Sequence, residues 1–234
     1  MALIKSVIKD LQGCLFTLHK RRLLMEIAYP ITEDTPPVIT YSKNPKMLDN
    51  ISNYVPFFLT LIENKNYICL LPDGSILQCY YKFSNDGDSL VEGSLSYLPN
   101  PGLSISPEFR EKKLINYDEE ERYLSEFTSK YIRIDFNHKG YRELLHPCCH
   151  LHLGIESNYR IALNKFPFFS EFVKFILFLN YEDKWMKTIP TIKKGHDIGI
   201  DIRNYIKLRV RTEKEKFIPS TMTDSEKKHY HLII

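Results

Sequence analysis

Residues 131–154 read Tyr-Ile-Arg-Ile-Asp-Phe-Asn-His-Lys-Gly-Tyr-Arg-Glu-Leu-Leu-His-Pro-Cys-Cys-His-Leu-His-Leu-Gly. Polar and apolar side chains alternate at both ends of this stretch, a pattern typical of half-buried β-strands. Every second side chain of a strand points to the same side, so Arg133 and Asp135 share one face of the first strand. By the same rule His150 and His152 share one face of the second. The stretch therefore predicts two strands, each with an apolar and a polar side.

The sequence before this stretch predicts an antiparallel meander. Three runs rich in β-branched and aromatic residues follow one another, Tyr67–Leu71, Ile76–Phe83 and Leu90–Leu98. Asp-Gly pairs separate them, and such pairs between β-rich runs are strong hairpin signals. After the stretch, Cys149–Ile155 and Tyr159–Leu163 are predicted to form a further hairpin.

Helical patterns lie outside the sheet segments. Apolar residues at helical spacing predict one N-terminal helix over Leu3–Ile27, with Gly13 as a point of interruption. Residues 28–56 contain five prolines and are predicted to be an extended connection with one helical turn near residues 47–52. An N-cap followed by acids predicts a helix over 118–129, and the apolar run Phe168–Leu179 predicts a buried helix.

These elements together predict an α+β fold. We expect an antiparallel, twisted sheet, made of the meander and the hairpin and packed by the N-terminal helix and the buried apolar helix. A chain of 234 residues fits a single domain spanning 1–234. Within it, 1–60 would hold the N-terminal helix and connection, 61–180 the sheet core with helices, and 181–234 a basic extension.

Composition narrows the class of protein. The net charge of +3 does not by itself indicate nucleic-acid binding. The segment Lys184–Lys216 is rich in Lys and Arg, and it is either a solvated basic face or a phosphate-binding one. The five cysteines show no zinc-type spacing, and no apolar run is long enough to cross a bilayer. With no secretory signal, we expect a cytoplasmic protein without membrane contact.

Strand parity predicts a polar face on the sheet. If the three strands are neighbours, one exposed face presents an acid, two imidazoles and two guanidinium groups. Its members are Tyr131, Arg133, Asp135, His150, His152 and Arg160. The other clustered histidines, His138 and His146, are placed in the connecting loop.

The first interpretation of this face is metal-independent cleavage of a phosphodiester, with no cofactor. RNA cleavage requires a group that accepts the 2′-hydroxyl proton, a group that protonates the leaving oxygen, and a cation near the developing negative charge. The histidines His150 and His152 would exchange the protons, since imidazole titrates near neutral pH. Asp135 would orient one imidazole, Arg133 and Arg160 would supply charge, and Tyr131 would assist.

Two other interpretations remain open. Imidazole and carboxylate ligands suit a zinc or manganese ion, held by His150 and His152 with Asp135 or His146 and performing hydrolysis. Alternatively, the polar residues form cross-strand pairs in a structural or non-catalytic binding subunit.

Several segments resemble an uncharacterised bacterial family, domain of unknown function 2290. They are Leu71-Pro-Asp-Gly-Ser-Ile-Leu-Gln, Leu95-Ser-Tyr-Leu-Pro-Asn-Pro, Tyr131-Ile-Arg-Ile-Asp-Phe, His146-Pro-Cys-Cys-His-Leu-His-Leu-Gly and Arg160-Ile-Ala-Leu. The resemblance covers most of the chain and implies a cytoplasmic bacterial protein. It carries no catalytic assignment.

A looser similarity is to small bacterial toxins of the TumE type, which also carry an Arg-x-Asp strand followed by a His-x-His strand. Here these are Arg133-Ile-Asp135 and His150-Leu-His152. Our hypothesis is therefore a bacterial defence- or toxin-associated protein that acts on a phosphate-bearing substrate, RNA or DNA, together with a protein partner encoded by a neighbouring gene.

Overall fold

The computed structural model describes residues 3–28, 30–34, 37–41, 54–101, 130–155, 160–181, 218–219 and 223–225. The helices in these ranges are α1 (Leu3–Lys20), α2 (Tyr54–Glu63) and α3 (Phe169–Asn180). The strands are β1 (Glu26–Ile27), β2 (Ile31–Asp34), β3 (Pro37–Thr40), β4 (Cys69–Leu70), β5 (Ile76–Phe83), β6 (Leu90–Leu98), β7 (Ile132–Asn137), β8 (Cys149–Leu153), β9 (Ile161–Ala162), β10 (Lys165–Phe166) and β11 (Ile218–Pro219).

An antiparallel sheet forms the centre of the fold and confirms the predicted α+β class. Among the described residues it has nine strands. Seven follow the order β1-β4-β5-β6-β7-β8-β9, and the other two are β3, which pairs with β5, and β2, which pairs with β3. The order follows the chain from β4 to β9, as expected for a meander extended by hairpins. A separate pair is formed by β10 and β11.

The Asp-Gly pairs form the turns predicted for them. Gly74 and Gly87 have φ angles of 82° and 70°, which glycine adopts without a steric penalty. The carboxylate of Asp73 accepts the N–H of Ser75 at 2.9 Å, and that of Asp86 accepts the N–H of Asp88 at 3.0 Å. Such Asx-type bonds hold the chain in the reversal between strands.

The N-terminal helix is shorter than predicted. It runs without interruption through Gly13 but ends at Lys20 rather than near Ile27. The backbone reverses at Arg22, whose φ angle is 56°, and Glu26–Ile27 then pairs with β4. The apolar residues of this segment enter the sheet, which the helical spacing alone did not reveal.

The predicted extended connection was also wrong in part. Strands β2 (Ile31–Asp34) and β3 (Pro37–Thr40) pair with each other, and α2 begins at Tyr54. Pro56 lies in the first turn of α2, where the missing N–H removes no helical bond. The helical turn predicted at 47–52, the helix at 118–129 and the basic segment Lys184–Lys216 lie outside the described residues.

One face of the sheet is covered by α1 and α3, and we call it the helix face. Apolar residues of both helices join Leu77, Ile134 and their neighbours in one core cluster. The helix predicted at Phe168–Leu179 is confirmed as α3, and Phe172 is 1% exposed. At its start, the backbone N–H of Ser170 donates to the carboxylate of the buried residue Asp10 in α1 at 3.0 Å. The Ser170 hydroxyl donates to the other oxygen of the same carboxylate.

The opposite face is divided into two parts. At one end, α2 packs with Ile76, Leu98 and Tyr131 in a second apolar cluster. Beyond α2 the same face carries polar residues, since side chains two positions along each strand point to the same side. This region, the polar face, comprises Gln78, Tyr80, Ser94, Ser96, Arg133, Asp135, His150, His152 and Arg160.

Candidate active site

Two rows of paired residues cross the polar face. In one row Ser94 on β6 lies opposite Asp135 on β7, which lies opposite His150 on β8. In the next row Arg133 on β7 lies opposite His152 on β8. Side chains in directly opposed positions are close enough to interact. The strand register therefore brings the acid, both imidazoles and a guanidinium into one cluster, as parity predicted.

The carboxylate of Asp135 lies at the centre of this cluster. Its Oδ2 is 2.8 Å from Nε of Arg133 and 3.3 Å from Nε2 of His152. Its Oδ1 accepts the hydroxyl of Ser94 at 2.9 Å. Burial raises the pKa of this carboxyl, but the bond from His152 and the charge of Arg133 outweigh burial and hold the pKa below its usual value. Asp135 is therefore a carboxylate at neutral pH.

The polar contacts of His152 within the described residues are made at Nε2. This atom faces Oδ2 of Asp135, and Nη2 of Arg133 lies 3.4 Å from it. An anionic acceptor at hydrogen-bond distance favours the tautomer with the proton on Nε2, and in this tautomer Nε2 does not accept a bond from Arg133. Nδ1 is then the atom that can exchange a proton with a ligand, and Asp135 would stabilise the resulting imidazolium, as in other carboxylate–imidazole pairs.

The ring of His150 is held in the opposite tautomer. Its Nδ1 is 2.8 Å from the carbonyl oxygen of Pro147. A carbonyl only accepts, so this nitrogen carries the proton. The lone pair of Nε2 then faces Asp135, with Oδ2 3.9 Å away. Burial lowers the pKa of His150 to about 4, so the ring is neutral at pH 7.

The two imidazoles are adjacent but differ in environment. Their ring centroids are 4.7 Å apart. His150 is fixed by a neutral carbonyl, whereas His152 contacts a carboxylate and a guanidinium. Two adjacent imidazoles with different hydrogen-bond partners can take different roles in proton transfer.

The site is more buried than expected. We predicted an exposed polar face, but His150 and His152 are 3% and 7% exposed. The cluster lines a cleft of about 380 Å³, at the small end of the range for ligand pockets, whose wall includes Phe57 of α2 and Tyr41 after β3. Because α2 lies on the same side of the sheet, the polar side chains lie at the floor of a cleft and not on an open surface.

The remaining predicted residues also line this cleft. Tyr131 is packed in the apolar cluster under α2, and burial raises the pKa of its hydroxyl, which therefore stays protonated. Arg160 precedes β9 and, by extension of the β8–β9 register, lies opposite His152. Its Nε is buried and has no hydrogen-bond partner within the described residues. Such a donor is suited to an anionic ligand.

The loop histidines take different positions. His146 lies outside the strands, and its Nδ1 donates to the carbonyl of Gly140. Its ring is 4.8 Å from that of His150, so it borders the cleft. His138 packs edge-on against Phe136, and its Nδ1 is 3.1 Å from Sγ of Cys148. His138 is therefore separate from the cluster around Asp135.

A metal could be held by part of this cluster. One ligand atom each from Asp135, His150 and His152 lies within 4.8 Å of the others. His146, a fourth ligand in our alternative prediction, is not in this group as far as the structure describes the chain.

Sequence reasoning missed several residues that line the cleft. Ser94, Ser96, Gln78 and Tyr80 share the face by strand register. The alternation within β5 and β6 would have placed them there, had the order of the strands been known. Phe57 could not have been found in this way, because the helix that carries it was not predicted.

The family model of the uncharacterized conserved protein DUF2290 matches residues 23–234. The chain belongs to this family. The match includes every residue of the cluster around Asp135 and begins after α1, and the DUF2290 description carries no activity. No curated protein and no solved structure shows significant similarity to this chain. The likeness to TumE-type toxins therefore stays a prediction. No helix in the described parts of the chain is long and apolar enough to span a membrane.

Proposed function

We propose that this DUF2290 protein is a metal-independent ribonuclease that cleaves single-stranded RNA by acid–base catalysis in the cleft of the polar face. One observation carries the proposal. A neutral imidazole, His150, lies beside an imidazole paired with a carboxylate, His152, and both share the cleft with Arg133 and Arg160.

The reaction assigns one proton transfer to each imidazole. Nε2 of His150 accepts the proton of the ribose 2′-hydroxyl, and the 2′-oxygen attacks the adjacent phosphorus. The bond from phosphorus to the 5′-oxygen breaks, and the imidazolium of His152 gives its proton to that oxygen. The products are a 2′,3′-cyclic phosphate and a 5′-hydroxyl, with no net change in protons. Asp135 stabilises the charged form of His152.

The guanidinium groups supply the positive charge that the reaction needs. Negative charge develops on the phosphate oxygens in the transition state, and fixed cations in a partly buried site stabilise it. Arg133 is held by Asp135, and Arg160 has a buried Nε with no bond among the described residues. The guanidinium of Arg133 also occupies the space beside Oδ2 of Asp135 that a metal would need, which favours the metal-independent mechanism over a zinc or manganese hydrolase.

The test compares purified wild-type protein with His152→Gln on labelled single-stranded RNA and the matching DNA, in the presence of a chelator. The glutamine amide keeps a donor near the position of Nε2 but does not take up or release a proton near neutral pH. His19→Gln is the matched control, since His19 is exposed at the end of α1. We expect cleavage of RNA alone, with a cyclic phosphate product, and a loss of about 100-fold or more in His152→Gln.

Three results would contradict the proposal. Wild-type protein that is folded but leaves every RNA intact would favour a non-catalytic binding or structural subunit. Equal cleavage by His152→Gln would remove the assigned acid. Cleavage that stops with the chelator and returns with manganese or zinc would favour the metal-dependent hydrolase.

We further propose that this activity serves bacterial defence or toxicity in the cytoplasm. The support is the Arg133-Ile-Asp135 and His150-Leu-His152 spacing, which is similar to that of TumE-type toxins. Expression of the wild-type chain should stop growth and degrade cellular RNA, whereas expression of His152→Gln at the same level should not. Unchanged growth with both would contradict the toxin setting, and an inhibitor encoded by the adjacent gene would support it.

A further inference from the structure

We propose that Asp135, His150 and His152 also bind a transition-metal ion of the zinc class, and that the bound ion switches off catalysis in the cleft. The metal site stands on geometry alone. The inhibitory effect rests on the proposed function, because it needs an activity to inhibit.

The spacing of the three ligand atoms is close to that of a zinc site. Bonds of about 2.0–2.2 Å in tetrahedral geometry place ligand atoms roughly 3.3 Å apart. Oδ2 of Asp135 is 3.3 Å from Nε2 of His152 and 3.9 Å from Nε2 of His150. All three ligand atoms lie within 4.8 Å of one another. Closing the site therefore requires ligand shifts of up to about 1.5 Å, together with displacement of the Arg133 guanidinium from Asp135.

The surroundings of His150 are those of a metal ligand. Metal-bound imidazoles usually donate their second N–H to a carbonyl or carboxylate, which fixes the ring and its tautomer. The bond from Nδ1 of His150 to Pro147 O, 2.8 Å long, supplies this outer contact. Oδ1 of Asp135 is similarly held by the hydroxyl of Ser94 at 2.9 Å. His150 and Asp135 are thus orientated before any metal arrives, whereas Nε2 of His152 must first lose its proton to become a ligand.

Arg133 competes with the metal for the same atoms. Its Nε is 2.8 Å from Oδ2 of Asp135, and its Nη2 is 3.4 Å from Nε2 of His152. A guanidinium and a divalent cation so close together repel one another strongly. Metal binding must therefore move this side chain away from Asp135. Removing the charge of Arg133 should therefore strengthen metal binding. A variant that had merely lost its structure would bind the metal more weakly.

A bound metal would block the chemistry assigned to the cluster. Coordination uses the lone pair of Nε2 on His150, which is the atom that accepts the 2′-hydroxyl proton. Coordination also breaks the contact between the Asp135 carboxylate and His152, and it moves the Arg133 guanidinium away from Asp135. The base, the stabiliser of the acid and one phosphate-binding cation would all be lost in one event.

The binding test uses untagged, chelator-treated protein and zinc alone, followed by calorimetry and by the thermal midpoint with and without zinc. We expect one equivalent of zinc to bind and to raise the midpoint of the wild type. Asp135→Asn and His150→Asn should each weaken binding at least about tenfold, and His19→Gln should not change it. Arg133→Met should bind zinc at least about tenfold more tightly, a gain that misfolding cannot produce. Absence of stoichiometric binding in both wild type and Arg133→Met would overturn the site, as would equal binding by His150→Asn.

The activity test separates this inference from the proposed function. Zinc that binds stoichiometrically and inhibits RNA cleavage supports both. Zinc that binds and is required for cleavage supports the site, but overturns inhibition and the metal-independent mechanism together. Zinc that binds to a chain with no nuclease activity supports the site and overturns both the inhibition and the proposed function.

Discussion

Nδ1 of His150 donates to the carbonyl oxygen of Pro147 across 2.8 Å, and this bond fixes the tautomer of an imidazole that burial keeps neutral. The residues are separated by only three positions, so the loop that ends at Pro147 and the strand that begins at Cys149 are held together at the edge of the cleft. Burial lowers the pKa of His150 despite this bond, and the stability of the fold therefore depends on pH.

The free energy of unfolding should fall as the pH drops from about 6.5 to about 4. Burial lowers the pKa of His150 from 6.5 to about 4, so between these values the unfolded chain binds the proton and the folded chain does not. Stability is lost in that direction, by roughly 3 kcal/mol for a shift of this size. Urea unfolding at a series of pH values measures the change.

His150→Asn provides the control for this pH dependence. The asparagine amide can still donate to Pro147 O but does not titrate, so the slope between pH about 6.5 and 4 should become shallower. Below that window both proteins should lose further stability because of Asp135, whose pKa is lowered in the folded state. The ionised carboxylate stabilises the fold, and this contribution is lost as the carboxylate becomes protonated. An unchanged slope in His150→Asn would show that other groups cause the effect.

Asp135→Asn should lower the free energy of unfolding by about 3 kcal/mol. The change keeps the shape of the side chain but leaves the guanidinium of Arg133 without its ion pair in a site where both side chains are less than one-fifth exposed. Breaking one partner of a buried pair costs about this amount. Ser94→Ala, which removes one hydrogen bond to the same carboxylate, should cost less, about 1.5 kcal/mol.

The double variant Arg133→Met with Asp135→Asn tests the coupling. Because neither charge then remains in the cleft, its stability should exceed that of Asp135→Asn alone. If the losses of stability in the two single variants simply add in the double variant, Arg133 and Asp135 are not coupled, despite their 2.8 Å separation.

Asp10→Ala should lower the free energy of unfolding by about 3 kcal/mol. The carboxylate of Asp10 accepts both the N–H and the hydroxyl of Ser170 in the first turn of α3. Its removal leaves two buried donors unpaired, and bonds to a charged acceptor contribute more than neutral ones. Lys9→Ala is the neighbouring control, and urea unfolding is the measurement. A loss below about 0.5 kcal/mol would show that water satisfies Ser170 in the variant.

Gly93→Ala should be destabilising by about 1–3 kcal/mol because it overfills the helix face. A Cβ at Gly93 would lie 2.8 Å from two ring atoms of Phe166, which is fully buried. The ring cannot move easily, since it packs edge-on against Tyr81 with centroids 5.6 Å apart. Adding Phe166→Leu should restore part of the loss, as measured by thermal unfolding. A Gly93→Ala protein as stable as wild type would contradict this account.

Alternation in the sequence was sufficient to predict the strands that build the site. It placed Arg133, Asp135, His150 and His152 on one face, and the register confirms that these residues are opposed. Asp-Gly turns identified the meander, because glycine permits the positive φ angles those turns require. The buried helix α3 was found from its continuous apolar surface.

The burial of the site could not be predicted in the same way. It depends on α2, whose first turn contains Pro56. Proline near other turn formers indicated a connection, although proline is also tolerated in the first turn of a helix. Similarly, the β2–β3 hairpin is held by pairing with a distant strand, Val38 opposite Lys82, and local composition carries no information about such a partner.

The bonds between Asp10 and Ser170 join residues 160 positions apart, and this separation bears on how the chain folds as it is made. The first helix emerges from the ribosome long before the residues that receive its carboxylate. Until α3 has been synthesised, Asp10 lacks the two donors of Ser170, and the core around Leu11 lacks the apolar residues that α3 contributes. Contacts of such long range form late, so we expect the docking of α1 and α3 against each other to be among the last steps of folding.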